Sequence, residues 1–317
     1  MLLHEILNIK YPIIQGAMAH IATAQFAASV SNCGALGIIG TGAMTAPMAE
    51  DAIIQCKTLT NKPFGVNLML MNPNSAEIVD VIIKHQVAVV TTGAGNPGPY
   101  IQKLKQANIK VIPIVPTVAL AKRVESAGAD MVIIEGTEAG GHVGELTTMT
   151  LLPQVVDAVN IPVIAAGGIG DGRGVNAVFS LGACGFQLGT ILLASDECPV
   201  HENYKQAVIK AKDSDTVVTG RSVSAPVRIM KNAMSQKYIQ LEKQGATRDE
   251  LEHLTLGSLS KAVHAGDVYN GSMMMGQIAG LVKEIKPLQQ IFDDLMNDSI
   301  QQLEGLKALH QRLHSHV

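Results

Sequence analysis

The chain contains no tryptophan, and its few phenylalanine and tyrosine residues bring the aromatic content to only 3%. Charged residues make up 16%, and the formal net charge at pH 7 is −3. Proteins that bind nucleic acids usually combine a basic surface with aromatic side chains on which bases stack, so this composition argues against nucleic-acid binding. The low charge together with 47% hydrophobic residues excludes a disordered or fibrous chain.

Cysteine is also scarce. The four cysteines are Cys33, Cys56, Cys184 and Cys198, and their spacing matches neither a CxxC motif nor a disulfide framework, which favours a reduced chain. No apolar run reaches the roughly 18 residues that a membrane span requires. The early Glu5 also interrupts the N-terminal segment where a signal peptide would have its apolar core. We therefore expect a cytoplasmic protein with no membrane partner.

The chain does contain eight short apolar runs that are rich in β-forming residues. They cover residues 11–17, 35–40, 63–70, 87–93, 110–116, 130–136, 161–168 and 185–190. Their starts lie roughly 20 to 30 residues apart, which leaves room for one strand and one crossover helix each. Because the runs are nearly continuous, helices should cover the sheet. This predicts an α/β fold, a TIM (β/α)8 barrel, with an open doubly wound sheet as the alternative because periodicity does not reveal closure.

Helix signals lie between the apolar runs. Segments 23–34 and 117–128 each begin with threonine, a helix-capping residue, and end with glycine. The predicted organisation is a barrel core over residues 1–195, an inserted cap subdomain over 196–262, and a returning segment with C-terminal helices over 263–317. In the tail, His310 and His314 have the spacing of a metal-binding pair, but a frayed polar end is the simpler interpretation.

After residue 190 the regular rhythm stops, and segment 203–241 carries a net charge of +5. Its basic residues are Lys205, Lys210, Lys212, Arg221, Arg228, Lys231 and Lys237. The second half predicts a helix that starts at Pro226 and carries an apolar stripe of Val227, Met230, Met234 and Leu241. The basic residues form either a plain solvated face or a surface that attracts an anionic ligand or an acidic partner.

Glycine is concentrated where two of the predicted strands end. The sequence AAGGIGDGRG follows the seventh run, and QLGT closes the eighth. In TIM barrels a phosphate often binds between these two loops. Gly167 and Gly168 permit a positive φ and a close approach of the ligand, while Gly189 and Thr190 offer an amide and a hydroxyl. A single such loop would indicate only a tight turn, but the pair predicts a phosphate site.

Polar residues gather at the carboxyl ends of other runs. His142 lies between glycines after the sixth run, on the barrel face where catalysis occurs, and an imidazole exchanges protons near neutral pH. A lone histidine is more often structural. Gln15 ends the first run and Thr92 the fourth, and both should face the mouth. Asn67, in an otherwise apolar run, needs a buried partner, either the protein backbone or a ring rich in heteroatoms.

At this point several motifs together resemble the FMN-dependent nitronate monooxygenase (2-nitropropane dioxygenase-like) superfamily. The motifs are PIIQGAM (12–18), PFGVNL (63–68), EGTEAGGHVG (135–144), IPVIAAGGI (161–169) and QLGT (187–190). Within it, the chain is most similar to the flavin enoyl-acyl-carrier-protein reductases of the FabK type. The narrower likeness rests on residues 147–155, 203–216 and 258–282.

The resemblance implies that FMN binds across the C-terminal mouth of the barrel. The implied FMN contacts are Gln15, Gly16, Met18, Asn67, Glu135, Gly140, Gly141, Gly167, Gly168, Gln187, Gly189, Thr190, Met275, Gly276 and Gln277. Many nitronate monooxygenases have glutamine where this chain has Glu135. That difference favours the reductase branch and leaves the flavin contact at this position open.

The implied reaction moves a hydride from NADH or NADPH through FMN to the β-carbon of a trans-2-enoyl thioester on acyl-carrier protein. His142 is the residue that would assist protonation of the α-carbon. The alternatives are a nitronate monooxygenase, in which the same histidine acts on a nitroalkane, and a flavin-free barrel that acts on a sugar phosphate. The resemblance also implies a homodimer and a response to a monovalent cation, with no bound catalytic metal.

Overall fold

The computed structural model describes residues 1–314, and its centre is a closed barrel of eight parallel strands. The strands of the chain are β1 (Ile13–Gln15), β2 (Gly37–Gly40), β3 (Phe64–Met69), β4 (Val89–Gly93), β5 (Lys110–Val115), β6 (Val132–Glu135), β7 (Gly141–His142), β8 (Val163–Ala166), β9 (Gly185–Leu188), β10 (Thr216–Thr219) and β11 (Val227–Met230). The barrel order is β1-β9-β8-β6-β5-β4-β3-β2.

The two ends of this sheet meet, which makes the barrel closed. The Gln15 N–H donates to the Leu36 carbonyl at 2.9 Å, and the Leu36 N–H donates to the Ile13 carbonyl at 2.9 Å. These bonds join β1 to the residue just before β2. The predicted TIM barrel is therefore confirmed, and the open doubly wound sheet is excluded.

Alternation along each strand divides the apolar core into two layers. Residues such as Ile38, Ile133 and Ile164 point into the barrel, whereas Ile39 and Ile134, one position along, pack against the surrounding helices. Both layers are excluded from solvent, which explains why the strands read as continuous apolar runs.

Helices cover the barrel and continue into the cap and the C-terminal segment. They are α1 (Leu3–Leu7), α2 (Ala24–Asn32), α3 (Ala46–Leu59), α4 (Ser75–Lys84), α5 (Gly98–Gln106), α6 (Val118–Ser126), α7 (Thr148–Val156), α8 (Gly172–Ser180), α9 (Thr190–Leu193), α10 (Glu202–Lys210), α11 (Ala233–Lys243), α12 (Arg248–Thr255), α13 (Ser258–Ala265) and α14 (Leu288–His314), with a 3₁₀ turn at Gln277–Leu281. The threonine caps are confirmed: Thr23 accepts from the Phe26 N–H and Thr117 from the Leu120 N–H, both at 3.2 Å.

The predicted helix from Pro226 is wrong over its first part. Residues 227–230 form β11, which pairs antiparallel with β10, and the helix α11 begins only at Ala233. Val227 and Leu241 still meet around Met234 in one apolar cluster, but they come from a strand and a helix. A short apolar stripe fits both structures, and pairing with β10 decides between them.

The basic segment 203–241 does not form one solvated face. Lys205 and Arg228 are each only 7% exposed. The Lys205 ammonium donates to the carbonyls of Ser195 and Asp196 at 2.7 and 3.1 Å. The other five basic side chains of the segment are exposed and remain available to an anionic partner.

The long helix α14 closes the chain by packing its first half on α8. The Asn176 side-chain amide donates to the Ser299 carbonyl at 2.8 Å, and the Gly172 N–H donates to the Asp298 carboxylate at 2.7 Å. No helix within residues 1–314 is long and apolar enough to cross a membrane. The same part of the chain contains no cluster of three metal-ligating side chains, and the end of the histidine-containing tail, 315–317, lies outside the described residues.

Candidate active site

Polar side chains line the carboxyl-end mouth of the barrel. Asn67, 9% exposed, donates through its amide to the Thr91 hydroxyl at 3.0 Å, so its buried partner within the protein is a threonine side chain and not the backbone. The expectation that Thr92 faces the mouth is wrong, because Thr92 follows the alternation of Val90, which packs on the helices. Gln187, 8% exposed, lies in register with Ala166 and lines the mouth from β9.

Gln15 has a different place from the one expected of a ligand-binding side chain. It is fully buried. Its side-chain Nε2 donates to the Ile38 carbonyl at 3.2 Å, and its Oε1 accepts from the Ile38 N–H at 3.3 Å. The side chain therefore completes the pairing where β1 and β2 diverge. The next residue, Gly16, donates its N–H to the Leu188 carbonyl at 2.7 Å. A Cβ on Gly16 would lie 3.8 Å from the Gln187 side chain.

The two glycine loops after β8 and β9 form a cradle of backbone amides. Gly167 and Gly168 have φ values of +89° and +79°, which side-chain-bearing residues rarely adopt. The Gly168 N–H finds no acceptor within residues 1–314. The Thr148 hydroxyl fixes this loop by donating to the Gly167 carbonyl at 2.9 Å. Unsatisfied N–H groups in consecutive left-handed residues form a concavity that suits an anion.

The segment Met273–Gln277, which we call the strap, returns from the cap and crosses the rim of the mouth. The Gly276 N–H donates to the Thr190 hydroxyl at 2.8 Å, and the Gln277 N–H donates to the Glu138 carbonyl at 2.9 Å. A Cβ on Gly140 would stand 2.6 Å from the Met275 carbonyl carbon. Glycine at 140 is therefore required for the strap to pack here.

Two further predicted contacts lie beside these elements. Met18 packs next to the second glycine loop, where a Cβ on Gly189 would lie 3.8 Å from its sulfur. Gly141 has a φ of +80° and pairs with Arg228 of β11. The structure thus brings the predicted residues of β3, β6, β8, β9 and the strap to one end of the barrel.

Sequence reasoning missed the residues that hold this arrangement in place. Tyr204, fully buried in α10, donates its hydroxyl to the Met274 carbonyl at 2.8 Å, and burial raises the pKa of the phenol. The Arg228 guanidinium donates through Nε to the Thr137 carbonyl at 2.9 Å. Desolvation on burial lowers the pKa of Arg228. A tyrosine and an arginine in a cap segment gave no sequence signal for these contacts.

His142 is held by backbone pairing while its ring remains accessible. It lies in β7, in register with Val227 of β11, and its side chain is exposed at the mouth. The surrounding protein removes part of the hydration of the imidazole and lowers its pKa. The neutral ring therefore predominates at pH 7, and its imidazolium form is a stronger acid than that of a free histidine.

Glu135 ends β6 with its carboxyl directed into the mouth. Its strand position has the same parity as Ile133, which points into the barrel, and it lies in register with Ala166. Burial raises the pKa of this carboxyl from 4.5 to about 7. Near neutral pH Glu135 is therefore a second group at the mouth that can hold or release a proton.

Replacing Glu135 by glutamine should change how the stability of the FMN-free protein depends on pH. Because the folded pKa lies above the unfolded one, the folded state binds more protons between about pH 4.5 and 7, and wild-type stability falls as pH rises through this window. Glu135→Gln removes that loss. The difference in free energy of unfolding, variant minus wild type, should therefore be on the order of 2–3 kcal/mol larger at pH 8 than at pH 5. Urea unfolding at both pH values measures the difference.

The control for this variant is Glu145→Gln, which changes an exposed carboxyl in the same loop. It should leave the pH dependence of unfolding as in wild type. Parallel stability curves for Glu135→Gln and wild type would show that the Glu135 carboxyl ionises normally.

Comparison with known proteins assigns this barrel to a family. The nitronate monooxygenase family model matches residues 1–80 and 74–298. The structure of FabK from Thermotoga maritima superposes with a TM-score of 0.94 at 46% identity, and the match covers 97% of this chain and 98% of that one.

Two sequence relatives carry other names. A probable nitronate monooxygenase of Staphylococcus saprophyticus is 36% identical, with 88% of this chain and 92% of that protein covered. The (3aS,4S,5R,7aS)-5-hydroxy-7a-methyl-1-oxo-octahydro-1H-indene-4-carboxyl-CoA dehydrogenase of Rhodococcus jostii is 31% identical, over 97% of this chain and 98% of that protein. With a family model covering nearly the whole chain, a barrel of the same shape and a glycine cradle at its mouth, this chain belongs to the nitronate monooxygenase family.

Proposed function

We propose that the protein reduces trans-2-enoyl-acyl-carrier-protein to acyl-carrier-protein with NADH or NADPH, through bound FMN. The observation that carries this proposal is the 46% identity to the FabK structure over 97% of the chain, higher than the 36% and 31% identities to the two other relatives described. The carboxylic acid at position 135, in place of glutamine, agrees with it.

The mouth fits FMN on structural grounds. The cradle of Gly167 and Gly168 presents unsatisfied N–H groups that suit a phosphate. The Thr190 hydroxyl, which follows the second glycine loop, accepts a hydrogen bond from the Gly276 N–H of the strap. Asn67 and Gln187 supply amide groups that suit the edge of a heteroatom-rich ring. When bound, FMN would supply the hydride-accepting and hydride-donating chemistry, and the protein would bind and orient it.

The chain's own residues would manage the proton. Protonation of the substrate α-carbon needs an acid at the mouth, and His142 is exposed there on a strand whose position is fixed by β11. Its lowered pKa makes the imidazolium a stronger acid than that of a free histidine. Glu135, with a pKa of about 7, is the other candidate donor at the same mouth.

Nitronate monooxygenase activity is the second candidate, favoured by the family match and the Staphylococcus saprophyticus relative. The same His142 would then remove a proton from a nitroalkane. The two activities differ in their need for a reduced nicotinamide and for oxygen, so they can be separated in one assay.

The test reconstitutes the purified protein with FMN and follows NADH consumption without oxygen. Crotonyl-acyl-carrier-protein should be converted to the butyryl form, which mass spectrometry identifies, and nitroethane should support no turnover. Turnover of nitroethane in air without NADH, together with an inert crotonyl substrate, would instead support the monooxygenase.

The exposed cap lysines should speed the encounter with the acidic carrier protein. Screening acts over about 8 Å at physiological ionic strength, so steering is strongest at low salt. Lys231→Glu combined with Lys237→Glu should lower kcat/KM for the carrier-protein substrate about tenfold at low salt and much less at high salt. Arg228 is unsuitable for this test because it is buried and bonded to Thr137.

The control reverses two exposed lysines outside the cap, Lys62 before β3 and Lys122 in α6, and should leave kcat/KM unchanged. A small uncharged crotonyl thioester should also be used equally well by the cap variant and wild type. Equal rates of all variants with the carrier-protein substrate would assign the cap lysines to an ordinary solvated surface.

A further inference from the structure

The Glu135 carboxyl lies at the mouth of the barrel without a protein partner. Within residues 1–314 it makes no hydrogen bond and no ion pair. It faces the barrel interior from the end of β6, in register with Ala166 of β8, which is in turn in register with Gln187 of β9. The small Ala166 side chain fills little of the space between the two polar ones. Since buried polar groups are normally hydrogen-bonded, this carboxyl is placed to meet a ligand.

The charged and titratable groups in the loops around Glu135 have other contacts. Both oxygens of Glu138 accept the first backbone N–H of α7 at 3.0 Å. The Arg228 guanidinium donates to a backbone carbonyl at 2.9 Å. His142 pairs through its backbone with β11 and points its ring to the mouth. None of the three neutralises the Glu135 carboxylate.

The elements packed against β6 bring no closer charge. β8 and α7 contain no charged residue, and β5 contains only Lys110, at its opposite end. The charged residues of α6, which lie on the outer side of the strands, are Lys122, Arg123 and Glu125. Desolvation is accordingly the cause of the raised pKa of Glu135.

Glu135 is also tied to the phosphate cradle through the backbone. The N–H of the next residue, Gly136, donates to the Ala166 carbonyl at 3.0 Å, and Gly167 follows Ala166 directly. The carboxyl and the cradle therefore belong to adjacent strands of the same mouth. A flavin whose phosphate binds in the cradle and whose ring lies across the mouth would cover Glu135.

Covering the carboxyl decides its protonation state. A bound ring displaces the water that still reaches the carboxylate, and the phosphate adds a like charge nearby, so both effects disfavour ionisation. The neutral acid avoids these costs and offers the ligand one O–H donor and one carbonyl acceptor. The ligand should therefore bind the protonated form in preference to the carboxylate.

We propose that Glu135 holds FMN in its protonated form, so that binding of the cofactor is linked to uptake of a proton at this residue. The inference rests on the FMN binding of the proposed function and adds the proton to it. Because the pKa of Glu135 in the FMN-free protein is about 7, the linkage weakens FMN binding as pH rises above that value.

Fluorescence titration of the FMN-free protein with FMN at pH 7 and at pH 8.5 tests the linkage. The dissociation constant should be about tenfold higher at pH 8.5. Over this range His142, with its lowered pKa, is neutral, and the FMN phosphate, with a second pKa of about 6, is ionised, so neither produces the change. Equal dissociation constants at the two pH values would overturn the proposal.

Glu135→Gln separates this carboxyl from every other titrating group. The amide keeps one donor and one acceptor at the end of the side chain and does not ionise. The variant should bind FMN equally well at both pH values, and at pH 8.5 about tenfold more tightly than wild type. Glu145→Gln, at an exposed position of the same loop, should follow wild type. A wild-type pH dependence in Glu135→Gln would contradict the assignment to this residue.

The proton itself is counted with a pH indicator in weakly buffered solution at pH 8. Wild-type protein should take up close to one proton for each FMN bound, and Glu135→Gln should take up none. Tight FMN binding without proton uptake would overturn this inference alone. Failure to bind FMN at any pH would overturn the proposed function and, with it, this inference.

Discussion

His142→Ala should keep bound FMN and lose enoyl reduction. A positioned general acid contributes on the order of 10²–10⁴-fold to a proton-transfer step, so reoxidation of the reduced enzyme by an enoyl thioester should slow by that factor. Gly167 and Gly168 form the cradle in the loop after β8, whereas His142 lies in β7. Removing the imidazole should therefore leave phosphate binding unaffected. In wild type the same step should slow as pH rises above the lowered pKa of His142.

The comparison for this variant is His253→Ala, an exposed histidine of α12 in the cap, which should behave as wild type. Stopped-flow mixing separates reduction by NADH from reoxidation by crotonyl thioester. If reoxidation in His142→Ala runs at the wild-type rate, the proton comes from elsewhere, and Glu135→Gln becomes the variant that should slow it.

Gly168→Val should yield a folded protein without cofactor. A Cβ at this position meets only the Glu138 side chain, at 3.6 Å, so the protein itself leaves room for it. The valine side chain would occupy the cradle and separate the phosphate from the amides. Loss of two charge-assisted hydrogen bonds at about 1.5–3 kcal/mol each weakens FMN binding by roughly 10²–10⁴-fold. Fluorescence titration of the FMN-free protein with FMN measures this change.

Gly245→Val is the matched control, because the φ of Gly245 is +80° and that of Gly168 is +79°. A Cβ added to Gly245 would have no atom within 4 Å. Both variants carry the same backbone strain, so both should lose similar stability. Only Gly168→Val should lose FMN affinity. Equal FMN affinity in Gly168→Val and wild type would show that the phosphate does not bind at this loop.

The barrel could be predicted because its signals are local. Each strand is an apolar run that is buried on both faces, and threonines such as Thr23 cap the following helices through bonds within one turn. The two glycine loops were found for the same reason, since Gly167 and Gly168 need a positive φ that few other residues adopt. Closure of the barrel depends on pairing between the first and second strands, which no local sequence signal reports. The structure shows it in the hydrogen bond between Gln15 and Leu36.

The cap and the supports of the mouth depend on contacts between distant residues. Val227 belongs to a strand because β10 offers it a partner, and nothing in the residues 226–241 themselves decides this. Arg228 reads as a surface charge, yet it is buried against the Thr137 carbonyl, ninety-one positions away. Tyr204 reaches the Met274 carbonyl across seventy positions. Pairings of this length leave no periodic trace in the sequence.

The proposed function requires this barrel to pass electrons from a reduced nicotinamide to an enoyl thioester. The most direct measurement reduces the FMN-reconstituted protein with one equivalent of NADH in the absence of oxygen, then mixes it with crotonyl-acyl-carrier-protein or with nitroethane. The proposed function predicts that the visible flavin absorbance returns with the crotonyl substrate, in proportion to the butyryl product formed, and stays bleached with nitroethane. Absorbance that returns only when oxygen is admitted, with no butyryl product, would contradict it.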